Sequence, residues 1–222
     1  MSRDAVNAGG KTASSAPNPA PEQQTEPLFP ITTSGLDSYL SYRYDEATDS
    51  HSVVATQDLP ANTHIAYITT HTPLPTPLYS TVQTSRSTHI ELNSPLLYLN
   101  HSCQPTASIT IFSPDAATGK YPATLPGDFT PGLNAPGSVK PGEHGIAGEV
   151  RVGERGVKKG EGVTFFYPCT EWSMGRGFEC ECRAVGCLGR IEGAKGLSGK
   201  QMEGRGKVAA WIAEMMRERD GE

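Results

Sequence analysis

The 222-residue chain carries a net charge of -5 and 36% hydrophobic residues, and 24 glycines and 18 prolines imply much irregular backbone around one modest core. No apolar run nears the roughly 20 residues of a membrane-spanning helix, and the first residues lack a signal-type apolar stretch, so no membrane association is expected. Without a long basic block, direct nucleic-acid binding driven by phosphates is not expected either.

Residues 1–30 are rich in Ala, Pro, Ser, Thr and Gln and poor in large apolar side chains. They cannot bury enough surface to offset their ordering entropy, so disorder is expected there. From residue 39, "YLSYRYDEATDSHSVVATQDL" alternates, turns at residues 45–50 and alternates again, which predicts a β-hairpin. "THIAYITT" predicts a third strand. Ser94 at an N-cap position and Pro95 after it predict a helical turn leading into "NHSCQP". "TASITIF" (106–112) predicts another strand. Residues 113–145 are dense in Pro and Gly with little apolar periodicity, and read as an exposed, partly disordered loop. "IAGEVRV" and "VTFFYP" resume the strand pattern. Near the end, Ser198 and Gln201 form a capping-box pattern. Val208, Trp211, Ile212 and Met215 follow at helical spacing, predicting a helix from about residue 206 whose apolar stripe packs on the core. Many short strands and few helices, with no βαβ alternation, make a mostly β protein.

The five cysteines are Cys103, Cys169, Cys180, Cys182 and Cys187. An odd number without a secretory signal favours reduced thiols or a metal site over a disulfide framework, and places the protein inside the cell. Cys180, Cys182 and Cys187 supply three soft ligands from one tight loop, in which Gly186 and Gly189 permit sharp turns. A structural zinc needs four ligands on a tetrahedron. By chemistry alone either Cys103 or Cys169 completes the set. His51, His64, His71, His89 and His144 show no ligand spacing and read as surface or core residues.

Three stretches in order, "NHSCQP" (100–105), "VKKGEGVTFFY" (157–167) and "FECECRAVGCLG" (178–189), resemble the SET domain with its post-SET segment. This is the fold of protein lysine methyltransferases, and the chain is similar in particular to small fungal and bacterial SET proteins that lack a pre-SET zinc cluster. The resemblance covers roughly residues 36–193. It implies several short-stranded sheets with a knot-like threading, few short helices and a C-terminal helix. The implied organisation is a SET domain over 31–177 holding the insert of 113–145, a post-SET zinc segment over 178–193 and a helical tail over 194–222.

The same resemblance implies Zn2+ on Cys103, Cys180, Cys182 and Cys187, with Cys169 a spare thiol. It implies S-adenosylmethionine beside them, contacted by Asn100, His101 and Ser52 and covered by Phe178 and Leu188. Tyr167 matches the tyrosine ending the family's "TFDY" motif and Tyr67 a second channel aromatic. Phe165 falls at the Phe/Tyr switch position that governs how many methyl groups fit. The partner implied is a lysine-containing protein or peptide, a histone tail among the options, in nucleus or cytoplasm. Three positions depart from the family pattern. Ser50-His51-Ser52 stands where a G-x-G precedes the strand, Phe166 replaces the aspartate of "TFDY", and Thr106 replaces an asparagine. Each serine adds a Cβ where the cofactor needs close backbone approach. Two alternatives follow: a catalytically degenerate SET module acting as a zinc-stabilised interaction domain, or a SET-fold enzyme acting on a small metabolite.

Overall fold

The structure is a computed structural model and describes residue 27, residues 30–31, 36–127, 129–133 and 140–221. The expected disorder of residues 1–30 falls almost wholly outside these residues. Alternation produces the first element as expected. Strands β1 (Leu40–Asp45) and β2 (Ser50–Ala55) pair antiparallel from Leu40↔Ala55 to Asp45↔Ser50. Their turn is closed by Ala47 N–H donating to the Asp45 carboxylate at 3.0 Å, with Asp49 in the left-handed region at φ 48°.

Further strands follow: β3 (His64–Ile68), β4 (His71–Leu74), β5 (Val82–Gln83) and β6 (His89–Leu92). A 3-10 turn over Pro95–Tyr98 then leads into β7 (Asn100–His101) and β8 (Ala107–Ile111). The proline starts that turn as its fixed φ suggests, but the Ser94 side chain makes no capping hydrogen bond. Next come β9 (Gly148–Val152), β10 (Thr164–Phe165), β11 (Phe178–Glu179) and β12 (Arg190–Ile191). Helices α1 (Gly199–Met202) and α2 (Ala210–Asp220) close the chain. Among the described residues these strands form two three-stranded sheets, β3-β9-β8 and β4-β6-β5, and the pairs β1-β2, β7-β10 and β11-β12. The protein is mostly β, in several small sheets with few helices.

The main core gathers Val53, Ile65, Ile68, Ile90, Ile109 and Val150 from these sheets, with Leu99 and Val163 from the residues just before β7 and β10. Each such side chain, fully buried, contributes about 1.5–3 kcal/mol. At the head of β9, Gly148 has φ 158°, and a Cβ there would lie 2.1 Å from the Thr110 carbonyl oxygen, so the close pairing with β8 needs glycine. A second cluster joins Cys103, Phe166, Cys169 and Ile191 to Trp211, Ile212 and Met216 of the tail.

Two expectations are corrected. The helix expected from about residue 206 begins at Ala210. Gly204 and Gly206 adopt φ 71° and 135°, and the next backbone donors are engaged elsewhere. Lys207 N–H donates to Ser108 Oγ at 3.1 Å and Ala209 N–H to the Cys169 carbonyl at 2.9 Å. The capping box at α1 does form: Ser198 Oγ accepts from Gln201 N–H at 3.3 Å and Ser198 N–H donates to Gln201 Oε1 at 2.9 Å. The insert of 113–145 is not simply exposed where it is described. Tyr121 is buried and its hydroxyl lies 2.6 Å from Thr84 Oγ1, while Leu125 and Phe129 pack against Tyr67, Phe112 and Ile146. Leu133 bridges to Thr63 beside β3. A few aromatic anchors therefore suffice to dock a segment without apolar periodicity. Residues 128 and 134–139 of the insert lie outside the described residues.

Candidate functional site

The site is built where β7 and β10 run parallel, Thr164 opposite Asn100 and Phe165 opposite His101. Ser102 N–H extends the pairing to the Phe165 carbonyl at 3.1 Å. Thr106, the departure from the family's asparagine, serves here as a strand clip. Its hydroxyl donates to the Gly162 carbonyl at 3.1 Å and accepts from Thr164 N–H at 2.9 Å.

Three aromatic rings surround one imidazole here. The His101 ring lies 5.2 Å from Tyr167 and 5.6 Å from Phe178, both edge to face, and 5.5 Å from Phe166. Tyr167 N–H donates to His101 Nδ1 at 3.3 Å, so Nδ1 is the acceptor and Nε2 carries the proton, facing Cys103 Sγ at 3.4 Å. Burial, with the Arg205 charge adding to it, holds the imidazole down at about 4, so it is neutral at physiological pH. The Tyr167 hydroxyl donates to the Leu99 carbonyl at 3.0 Å, and its ring lies 4.7 Å from Phe165. Burial first, and then the nearby Glu171, push that phenol well above its ordinary range. It is a hydrogen-bond donor at neutral pH and not a base.

Asn100 is exposed and donates from Nδ2 to the His51 carbonyl at 2.8 Å, which ties the N-H-S-C stretch to the Ser50-His51-Ser52 segment on β2. Ser52 is half-buried there, opposite Arg43. His51 Nε2 is buried without a partner among the described residues, a polar atom that a ligand at this edge would satisfy. Phe178 and Leu188 are half-buried in the cluster around the thiols.

The thiols answer the choice that spacing left open. The sulfurs of Cys103, Cys180, Cys182 and Cys187 all lie within 4.8 Å of one another, with Cys103 and Cys180 at 3.9 Å. A tetrahedral thiolate site with metal–sulfur bonds of about 2.3 Å has sulfur–sulfur edges of about 3.8 Å, so the four could hold one metal ion. Leu188 N–H donates to Cys103 Sγ at 3.4 Å. Gly186 and Gly189 both adopt φ 76°, the left-handed turns the loop requires. Cys169 lies apart in the interior, and burial pushes its thiol up to about 12, leaving it protonated and inert.

Tyr67 is not brought to this place. An irregularity in the pairing between His64 and Ala66 resets the alternation of β3, after which Ala66 and Ile68 face the main core and Tyr67 faces the other way. Tyr67 therefore packs with Phe112 and Ile146 under the insert, 4.2 Å from the His64 ring, and its hydroxyl has no partner among the described residues. Sequence reasoning also missed two contributors, the Leu99 carbonyl and the Arg205 guanidinium. Both act through long-range contacts that carry no local pattern. A surface cleft of about 700 Å³ is lined by Met174, Arg190, Glu192 and Lys195 among others and by none of the residues gathered around His101. Among the described residues no helix is long and apolar enough to cross a membrane.

No protein-family model matches the chain. Among curated proteins, Methyltransferase flvH of Aspergillus flavus is 34% identical over 140 residues. The match takes in 63% of this chain and 60% of that protein, so the chain spans about three-fifths of its relative's length. Among solved structures, KRYPTONITE in complex with mCHG DNA and SAH aligns with a TM-score of 0.44 and 15% identity, over 68% of this chain and 28% of that one. A Plasmodium falciparum protein proposed to be a histone methyltransferase aligns with a TM-score of 0.36 and 9% identity, over 59% and 93%. The chain thus resembles SET-domain proteins in its motifs and has a methyltransferase among its relatives.

Proposed function

We propose that the protein is an S-adenosylmethionine-dependent protein lysine N-methyltransferase of the SET type, with one structural zinc on Cys103, Cys180, Cys182 and Cys187. The observation that carries this reading is the arrangement around His101. The parallel β7-β10 pairing sets Asn100 and His101 beside Tyr167, and the thiol loop carries Phe178 and Leu188 to the same spot. A thiolate set of this geometry selects zinc, whose part is to hold the post-SET segment against the N-H-S-C stretch.

S-adenosylmethionine, when bound, supplies an electrophilic methyl on a sulfonium, which a neutral amine displaces in line. Asn100, His101 and Ser52 would hold its polar groups and Phe178 and Leu188 its adenine. A free lysine titrates near about 10.4, so the site must favour the uncharged amine. Phe165 and Tyr167, with rings 4.7 Å apart, provide apolar walls that disfavour the ammonium by desolvation. Tyr167, fixed by the Leu99 carbonyl, aligns that amine and does not remove its proton, which leaves to solvent. Phe165 lacks a hydroxyl, and the space it leaves admits a second methyl. Tyr67, under the insert, takes no part.

The test is calorimetric titration with S-adenosylmethionine, followed by methylation of a lysine-peptide array read by mass spectrometry. Micromolar binding and transfer of two or more methyl groups to one lysine are expected, with Phe165→Tyr restricting the product to one. The serines flanking His51 favour a second reading, a SET module that keeps its zinc and has lost its cofactor. No heat at millimolar cofactor selects that reading. Good cofactor binding without any peptide product points to a small-molecule substrate.

A further inference from the structure

Gly204-Arg205-Gly206 interrupts the helical pattern of the tail, and the two left-handed glycines turn the chain around the arginine between them. Arg205 is directed at the thiol loop. Nη1 donates to the Cys103 carbonyl at 2.5 Å and Nη2 to the Gly186 carbonyl at 2.8 Å, while the guanidinium lies 5.3 Å from the centre of the Phe166 ring. Cys103 is the mid-chain thiol, and Gly186 directly precedes the thiol of Cys187. One planar group thus bridges the two chain segments that must meet at the metal, a geometry a lysine cannot reproduce. The bridge also gives Phe166 a reason. Where the family pattern has an aspartate, this chain offers a buried aromatic face on which a guanidinium rests. Four thiolates around a divalent ion carry a net negative charge, which the nearby cation offsets.

We propose that Arg205 is a positioning residue for the thiol site, a latch that holds the mid-chain ligand and the tail loop in register through the carbonyls of Cys103 and Gly186. The proposal rests on the zinc reading. Its test uses the full chain, its zinc content and the rate of zinc transfer to a chromogenic chelator. Zinc-loaded wild type is the reference. R205A, which removes both charge-assisted hydrogen bonds, releases zinc at least about tenfold faster. R205K keeps the charge without forking two carbonyls, and its rate falls between the two; it also serves if R205A does not fold. R219A is the control. Arg219 anchors the same tail through the carbonyls of Ala194, Lys195 and Leu197, so its loss loosens α2 and leaves zinc release within about twofold of wild type. Wild-type release in both Arg205 variants overturns the latch, as does equal acceleration by R219A. A wild-type chain that holds no zinc sinks the zinc reading itself, and the latch with it.

Discussion

Around Ile90, Ile109 and Val150 the interior is aliphatic, packed between small sheets by strands that alternate in the ordinary way. Around Cys103 and Phe166 it is assembled from residues near 103, 166, 180–191 and 202–216, with sulfurs and aromatic rings mixed among aliphatics such as Ile191 and Ile212. The first region is held by buried area and would survive the loss of any one contact. The second joins four distant stretches, two of which bring together four thiols that could share one metal ion. What the difference teaches is that the site sits on the half assembled from distant stretches, where the proposed zinc would add a crosslink that the aliphatic half does not need.

Removing one sulfur breaks the comparison most sharply. Cys182→Ser should abolish stoichiometric zinc and release the chain from about residue 178 onward, read by metal analysis and by hydrogen exchange, while protection in β3, β8 and β9 persists. The converse change in the aliphatic half is Ile90→Ala. Ile90 is fully buried, and its truncation should cost about 2–5 kcal/mol in denaturant unfolding with zinc content unchanged. Loss of zinc in that variant would merge the two regions into one cooperative unit.

The aliphatic half was legible in the sequence because its signal is local. Alternation predicted β1, β2, β3, β8 and β9, and Ser198 with Gln201 announced a cap that forms. The site was legible in part. Three thiols stood close in the chain, but the fourth needed either the family resemblance or the fold, since Cys103 and Cys169 are equivalent on paper. Two features were not legible. Phe129 and Tyr121 dock the insert although it has no periodicity, and Arg205, between two glycines, carries no sequence signal until the carbonyls of Cys103 and Gly186 are seen beside it. Arg205 depends on partners 19 and 102 residues away, Gly186 and Cys103.

Within the site, Tyr167→Phe separates chemistry from packing. The ring stays and the bond to the Leu99 carbonyl goes, so stability should fall by about 1 kcal/mol. Methyl transfer should fall by at least about tenfold, the larger effect expected where the hydroxyl aligns the amine. An unchanged rate would place Tyr167 among ordinary core aromatics.

The smallest expected effect is on pH dependence. Burial pushes the Glu171 carboxyl up to about 8, against the opposing pull of the Gln83 N–H and the Thr170 hydroxyl. Its folded-state value lies above the unfolded one, so the folded chain binds the proton more tightly. The associated stability is full below about pH 4.5 and is lost as pH rises toward about 8. Glu171→Gln, which keeps an acceptor for Gln83 N–H, should flatten the fall in Tm over that window by about 2 °C or more. An identical slope in both proteins would show that Glu171 is already ionised in the fold.

X-ray absorption at the zinc edge, on the purified 222-residue chain, bears most directly on the shared thiol site. One zinc per chain with four sulfur neighbours at about 2.3 Å is the expected spectrum. A shell of three sulfurs and one nitrogen, with His101 in place of Cys103, would contradict the account, as would the absence of zinc.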